Sequence, residues 1–156
     1  MKSGAPLAIA LAIALAPIPW LGAPGAETSR AKPDTYTYKT VNGLEIKADV
    51  HRADDDVTRP VVVWIHGGAL INGHRAGISG RVKQMMLDEG YAIVSIDYRL
   101  APETKLPAII KDVEDAFKWI RKEGPGLFHI DSSKIGVLGG SAGGYLTLVT
   151  GYRVKP

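Results

Sequence analysis

The sequence predicts an α/β domain in three layers, with helices on both faces of a mostly parallel central sheet. Three observations carry that prediction: apolar runs at 61–65, 91–96 and 134–138, helical periodicity between and after them, and a strictly alternating stretch ahead of them all. Strands buried on both faces read as continuous apolar runs, and parallel neighbours need a crossover, usually a helix. Buried strands alternating with amphipathic helices therefore specify a layered α/β architecture.

The chain opens with Lys2, an apolar run at 7–16, Pro17, Pro19 and small residues at 22–26. That order is the order of a secretory signal peptide, and ten apolar residues fall short of the roughly 20 that span a bilayer. Residues 1–25 are expected to be a signal peptide and 26–34 a short linker, leaving 35–156 as one domain. The expected destination is the periplasm or exterior of a bacterium, with no stable membrane span after cleavage.

From 35 to 51 the chain alternates, with Leu44, Ile46, Ala48 and Val50 on one face and Glu45, Lys47, Asp49 and His51 on the other. Asn42-Gly43 between the halves predicts a hairpin with a tight primed turn. The run Asp54-Asp55-Asp56 lacks the spaced oxygens and glycine of a calcium loop and is expected to be a solvated turn. After the strand at 61–65, Val82, Met85, Met86 and Glu89 recur at helical spacing up to Gly90, and 91–96 is the next buried strand. A longer helix is expected from Pro107, with Ile109, Ile110, Val113, Phe117 and Ile120 as its apolar stripe. Gly124-Pro125-Gly126 is expected to end it, ahead of a buried strand at 134–138 and a short helix at 142–150.

Composition excludes several chemistries. The chain has no cysteine, so disulfides, thiol catalysis and zinc-thiolate sites are out. Its 19 basic and 16 acidic residues give a net charge of +3 with the signs interleaved, which argues against a nucleic-acid surface despite a pI of 9.1. His51, His74 and His129 have no ligand-spaced partner, so no metal site is expected, and no cofactor is called for.

Gly139-Gly140-Ser141-Ala142-Gly143 satisfies G-x-S-x-G between a predicted strand and a predicted helix. A turn that sharp forces the serine into strained backbone angles, and the flanking glycines remove side chains that would collide. Ser141 would then stand at a helix N-terminus, where unpaired N–H groups favour developing negative charge. His66-Gly67-Gly68-Ala69 follows the first buried strand, and its glycines let backbone N–H groups of Gly67 and Gly68 face an oxyanion, with the N–H of Ala142 completing the hole. His66 itself reads as a loop-fixing side chain rather than the catalytic base, and His74 as an exposed loop residue.

Together with Asp97-Tyr98-Arg99-Leu100-Ala101-Pro102-Glu103, these motifs resemble the hormone-sensitive-lipase-like branch of the α/β-hydrolases, which includes bacterial carboxylesterases and secreted esterases of plant polysaccharides. The resemblance implies a serine hydrolase acting on small-molecule or polysaccharide-linked carboxylic esters, with Ser141 as nucleophile. It also implies a framework role for the 97–103 segment, where Asp97, Arg99 and Glu103 are expected to form an ion-pair cluster. Ala69 departs from the third glycine common in the branch. The triad order is serine, acid, histidine, and none of the 15 residues after Ser141 is Asp, Glu or His. The expected fold is therefore incomplete at its C-terminal side and the chain alone nearly inactive. A serine peptidase of the same fold, and a truncated hydrolase that only binds ligand, are the alternatives.

Overall fold

The computed structural model describes residues 32–156; the expected signal peptide, and the linker up to residue 31, lie outside the described residues. Asn42 and Gly43 both take positive φ, 49° and 82°, the requirement of the primed turn that joins strand β1 (Asp34–Val41) to β2 (Leu44–His51). Then come β3 (Arg59–Ile65), helix α1 (Gly80–Asp88), β4 (Ala92–Ile96), α2 (Leu106–Phe128), β5 (Ile130–Gly139) and α3 (Ala142–Arg153). The strand order is β1-β2-β4-β3-β5. β3 runs parallel to both β4 and β5, whereas the hairpin joins β4 antiparallel. The expected three-layer α/β-hydrolase architecture is present as an open five-stranded sheet.

Strand order also sets the layers. The crossover from β3 to β4 and the crossover from β4 to β5 step in opposite directions across the sheet, so right-handed connections place α1 on one face and α2 on the other. Ala48, Val50, Val61, Val63, Ile65, Ala92, Val94 and Ile96 form the sheet side of the core. Ile109, Val113, Phe117 and Ile120 of α2 close it from above, as their spacing predicts, while Ile110 is only half-buried at its margin. Tyr36, Trp119 and Phe128 pack with tilted rings, centroids 5.5–5.8 Å apart, in one aromatic cluster between β1 and α2.

Four expectations need correction. Gly124-Pro125-Gly126 does not end α2, which continues to Phe128 and stops where His129 takes φ 49°. Phe128 is 2% exposed, and burying it outweighs the hydrogen bond lost at Pro125. The strand expected at 134–138 spans Ile130–Gly139 and is only half-buried there, because β3 is its neighbour on one side and no strand lies on the other among the described residues. On the polar face of β2, Glu45 is exposed while Asp49 and His51 are buried. Asp54-Asp55-Asp56 is more than a solvated turn, since Asp55 binds the guanidinium groups of Arg52 and Arg59. Finally, Asp97 and Arg99 do not pair with each other. Asp97 takes Arg75, Arg99 takes the fully buried Asp112, and Glu103 is exposed with no ion pair among the described residues.

Candidate active site

β5 delivers the chain to Ser141, and α3 carries it away. Ser141 sits at the N-cap of α3 with φ 53° and ψ −120°, a left-handed conformation that costs a non-glycine residue of order 1 kcal/mol or more. Its side chain makes no capping hydrogen bond, and the residue is exposed. Ala142 is the first helical residue, so its N–H has no acceptor within the helix. The turn holds because Gly143 donates its N–H to the Gly140 carbonyl at 2.9 Å and packs directly on β3. A Cβ on Gly143 would lie 2.1 Å from the Ile65 carbonyl oxygen.

The segment after β3 comes to the same place. A Cβ on Gly67 would stand 3.3 Å from the Ser141 Cβ and 2.8 Å from the Gly140 oxygen, so the 66–69 loop and the serine turn touch through a glycine. Gly68 has φ 108°, and a side chain there would strike the Asn72 backbone oxygen at 2.1 Å. Ala69 and Leu70 follow at φ 53° and 65°, giving three consecutive left-handed residues. The N–H groups of Ile71 and Asn72 both donate to the Gly68 carbonyl, at 2.9 and 3.0 Å, closing the loop on itself.

Charges anchor the loop's far end. Arg75 reaches Asp49 at 2.8 Å and Asp97 at 2.6 Å, and its own N–H donates to Asp97 at 2.7 Å. The Ser95 hydroxyl donates to the Arg75 carbonyl. His66 is 3% exposed, with Nδ1 donating to the Gly67 carbonyl at 2.7 Å. Burial pushes its pKa down against the opposing pull of that bond. His74 is exposed and its side chain does not cap the short turn that follows. Gly67, Gly68, Ser141 and Ala142 thus come from two loops that meet above the carboxyl ends of parallel strands, while His51 and His129 lie elsewhere. Among the described residues no side chain hydrogen-bonds the Ser141 hydroxyl, and no three His, Asp or Glu residues group closely enough to hold a metal ion. Tyr98, Gly73 and Arg75 escaped the sequence reading; the only sign of the first was its place inside the 97–103 motif.

Comparison with known proteins covers most of the described chain. A model of the BD-FAE family matches residues 49–155. Among solved structures, esterase 2 of the planctomycete Thermogutta terrifontis aligns at TM-score 0.68 and 26% identity over 77% of this chain and 44% of its own. A bacterial heroin esterase aligns at TM-score 0.70 and 30% identity over 79% of this chain and 39% of its own. Among curated proteins, Esterase LipI of Mycobacterium tuberculosis is 36% identical over 101 residues, 65% of this chain and 31% of that protein. The non-reducing polyketide synthase atr1 of Stereocaulon alpinum is 36% identical over 131 residues, 78% of this chain but 5% of the synthase. The chain thus spans less than half the length of each of these proteins.

Proposed function

This chain belongs to the BD-FAE family, with esterases of the α/β-hydrolase fold as structural neighbours, and on that premise we propose that it carries the nucleophile and oxyanion hole of a carboxylic ester hydrolase. The observation that supports this most is Ser141, left-handed and exposed at the N-terminus of α3 with Gly67 packed against its turn. Its Oγ attacks the ester carbonyl carbon, and the tetrahedral oxyanion accepts hydrogen bonds from the N–H groups of Gly67, Gly68 and Ala142. A histidine takes the serine proton and returns it to the departing alcohol, and water then releases the acyl group by the same route. That histidine and its acid partner belong, in this reading, to polypeptide outside these 156 residues. The substrate is a small-molecule or polysaccharide-linked ester, and residues 1–25 direct export.

Labelling with a fluorophosphonate probe tests the nucleophile. Slow labelling of the wild-type chain, abolished in Ser141→Ala, is the expected result. Turnover of ester should be undetectable, since loss of the histidine in such a triad costs on the order of 10⁶. A stably folded wild-type chain that takes no label would overturn the assignment. Reading the coding DNA past the Pro156 codon tests the location of the acid and histidine.

A further inference from the structure

Three groups form a closed circuit beside the candidate oxyanion loop. The Tyr98 hydroxyl donates to the His66 carbonyl at 2.9 Å, and the two rings stack at 4.2 Å between centroids and 10° between planes. The His66 ring then donates from Nδ1 to the Gly67 carbonyl at 2.7 Å. Tyr98 therefore holds His66 by both backbone and ring, and the ring holds the next peptide. The peptide between Gly67 and Gly68 is planar and trans, so its carbonyl and its N–H point in opposite directions. Fixing the Gly67 carbonyl on His66 turns the Gly68 N–H away from it.

From this geometry we propose that Tyr98 and His66 are positioning residues whose joint task is to aim the Gly68 N–H at the substrate oxyanion. The proposal rests on the hydrolase reading above and adds to it the device that presets one donor of the hole. Two further observations support it. Among the described residues the other ring nitrogen of His66, Nε2, is buried with no partner, so the ring is committed to one hydrogen bond. Gly73 presses on that bond: a Cβ there would lie 2.4 Å from the Gly67 oxygen and 2.5 Å from His66 Nδ1. A carbonyl only accepts, so His66 must carry its proton on Nδ1. Asp97 favours charge on the ring and His74 opposes it, yet burial dominates and keeps the ring neutral. The Tyr98 hydroxyl, pushed up to about 12 by burial, stays protonated as the donor at the head of the circuit.

Two experiments on the full 156-residue chain test this. Nitrogen NMR at neutral pH should find the His66 proton on Nδ1; a proton on Nε2 overturns the proposal whatever the activity. In the second, His66→Asn and His66→Gln are compared, because an Asn side-chain amide stands where Nδ1 stands and a Gln amide reaches to Nε2. Fluorophosphonate labelling of Ser141 should stay within about threefold of wild type in His66→Asn and fall at least about tenfold in His66→Gln, given that one hole donor carries roughly 10²–10³. The Gly68 amide resonance should move in His66→Gln and Tyr98→Phe but return toward wild type in His66→Asn. Equal labelling and an unmoved Gly68 amide in all three variants would overturn it. If wild type takes no label, the nucleophile reading fails, while the tautomer and the Gly68 resonance still decide the circuit.

Discussion

The glycines around Ser141 have different reasons to be glycine, and substitution separates them. A Cβ on Gly139 would meet the Gly143 oxygen at 2.4 Å, and one on Gly143 the Ile65 oxygen at 2.1 Å, both rigid backbone atoms. Gly140 has nothing within 4 Å of its Cβ position. Gly143→Ala is therefore expected to cost about 3 kcal/mol, and Gly140→Ala less than about 0.5 kcal/mol, in chemical denaturation. The motif marked these glycines as avoiding collisions but did not separate Gly140 from the other two, because the contrast depends on where the chain doubles back on β3. Tyr98 was not legible in the same way. An aromatic residue after an apolar strand reads as core, and its grip on His66 exists only once two segments 32 positions apart are folded together.

Elements show why local signals failed where tertiary contacts compete. Gly124-Pro125-Gly126 is a strong stop, yet Phe128 finds Tyr36 and Trp119, and the helix goes on to place it. Alternation identified the hairpin but not what would cover its polar face, because Arg75, the partner of Asp49, is 26 residues away. α2 is tied to β1 by Lys39, which reaches Asp112 at 2.7 Å and Asp115 at 2.8 Å. Burial pushes the Asp115 carboxyl up, but hydrogen bonds from Lys111 and Lys39 outweigh it and hold the group at about 2, below its ordinary 3.8. A carboxyl lowered on folding stabilises above its unfolded pKa and loses that contribution as pH falls through the folded one. Asp115→Asn should thus be less stable than wild type by roughly 1–2 kcal/mol at pH 7, with the gap closing between about pH 4 and pH 2. A gap constant across that range in urea titrations would contradict the assignment. Asp112 is fully buried between Arg99 and Lys39, so Asp112→Ala should cost about 3 kcal/mol, visible as a lowered melting temperature.

At the scale of the molecule, one flank of the sheet stays open among the described residues. β5 ends the sheet, and next to it α3 turns Tyr145, Leu148 and Tyr152 outward, the last two 70% and 85% exposed. Open strand edges beside apolar surface promote association. The isolated chain should sediment heavier than its 16.7 kDa monomer at micromolar concentration, and Leu148→Lys with Tyr152→Lys should shift it toward monomer. The layered class was readable from apolar runs and their spacing; the order of strands was not, because it depends on pairings between segments far apart in the chain. That order has a consequence for synthesis. β3 lies between β4 and β5, both made after it, and the hairpin reaches β3 only through β4. As the chain leaves the ribosome, hairpin and β3 have no common neighbour until Ile96 has emerged. At about 5–20 residues per second, β3, with the core residues Val61, Val62, Val63 and Ile65, waits roughly 2–6 s without a partner. β4 is the moment of assembly, and a holdase chaperone, if one attends this chain, has its work in that interval.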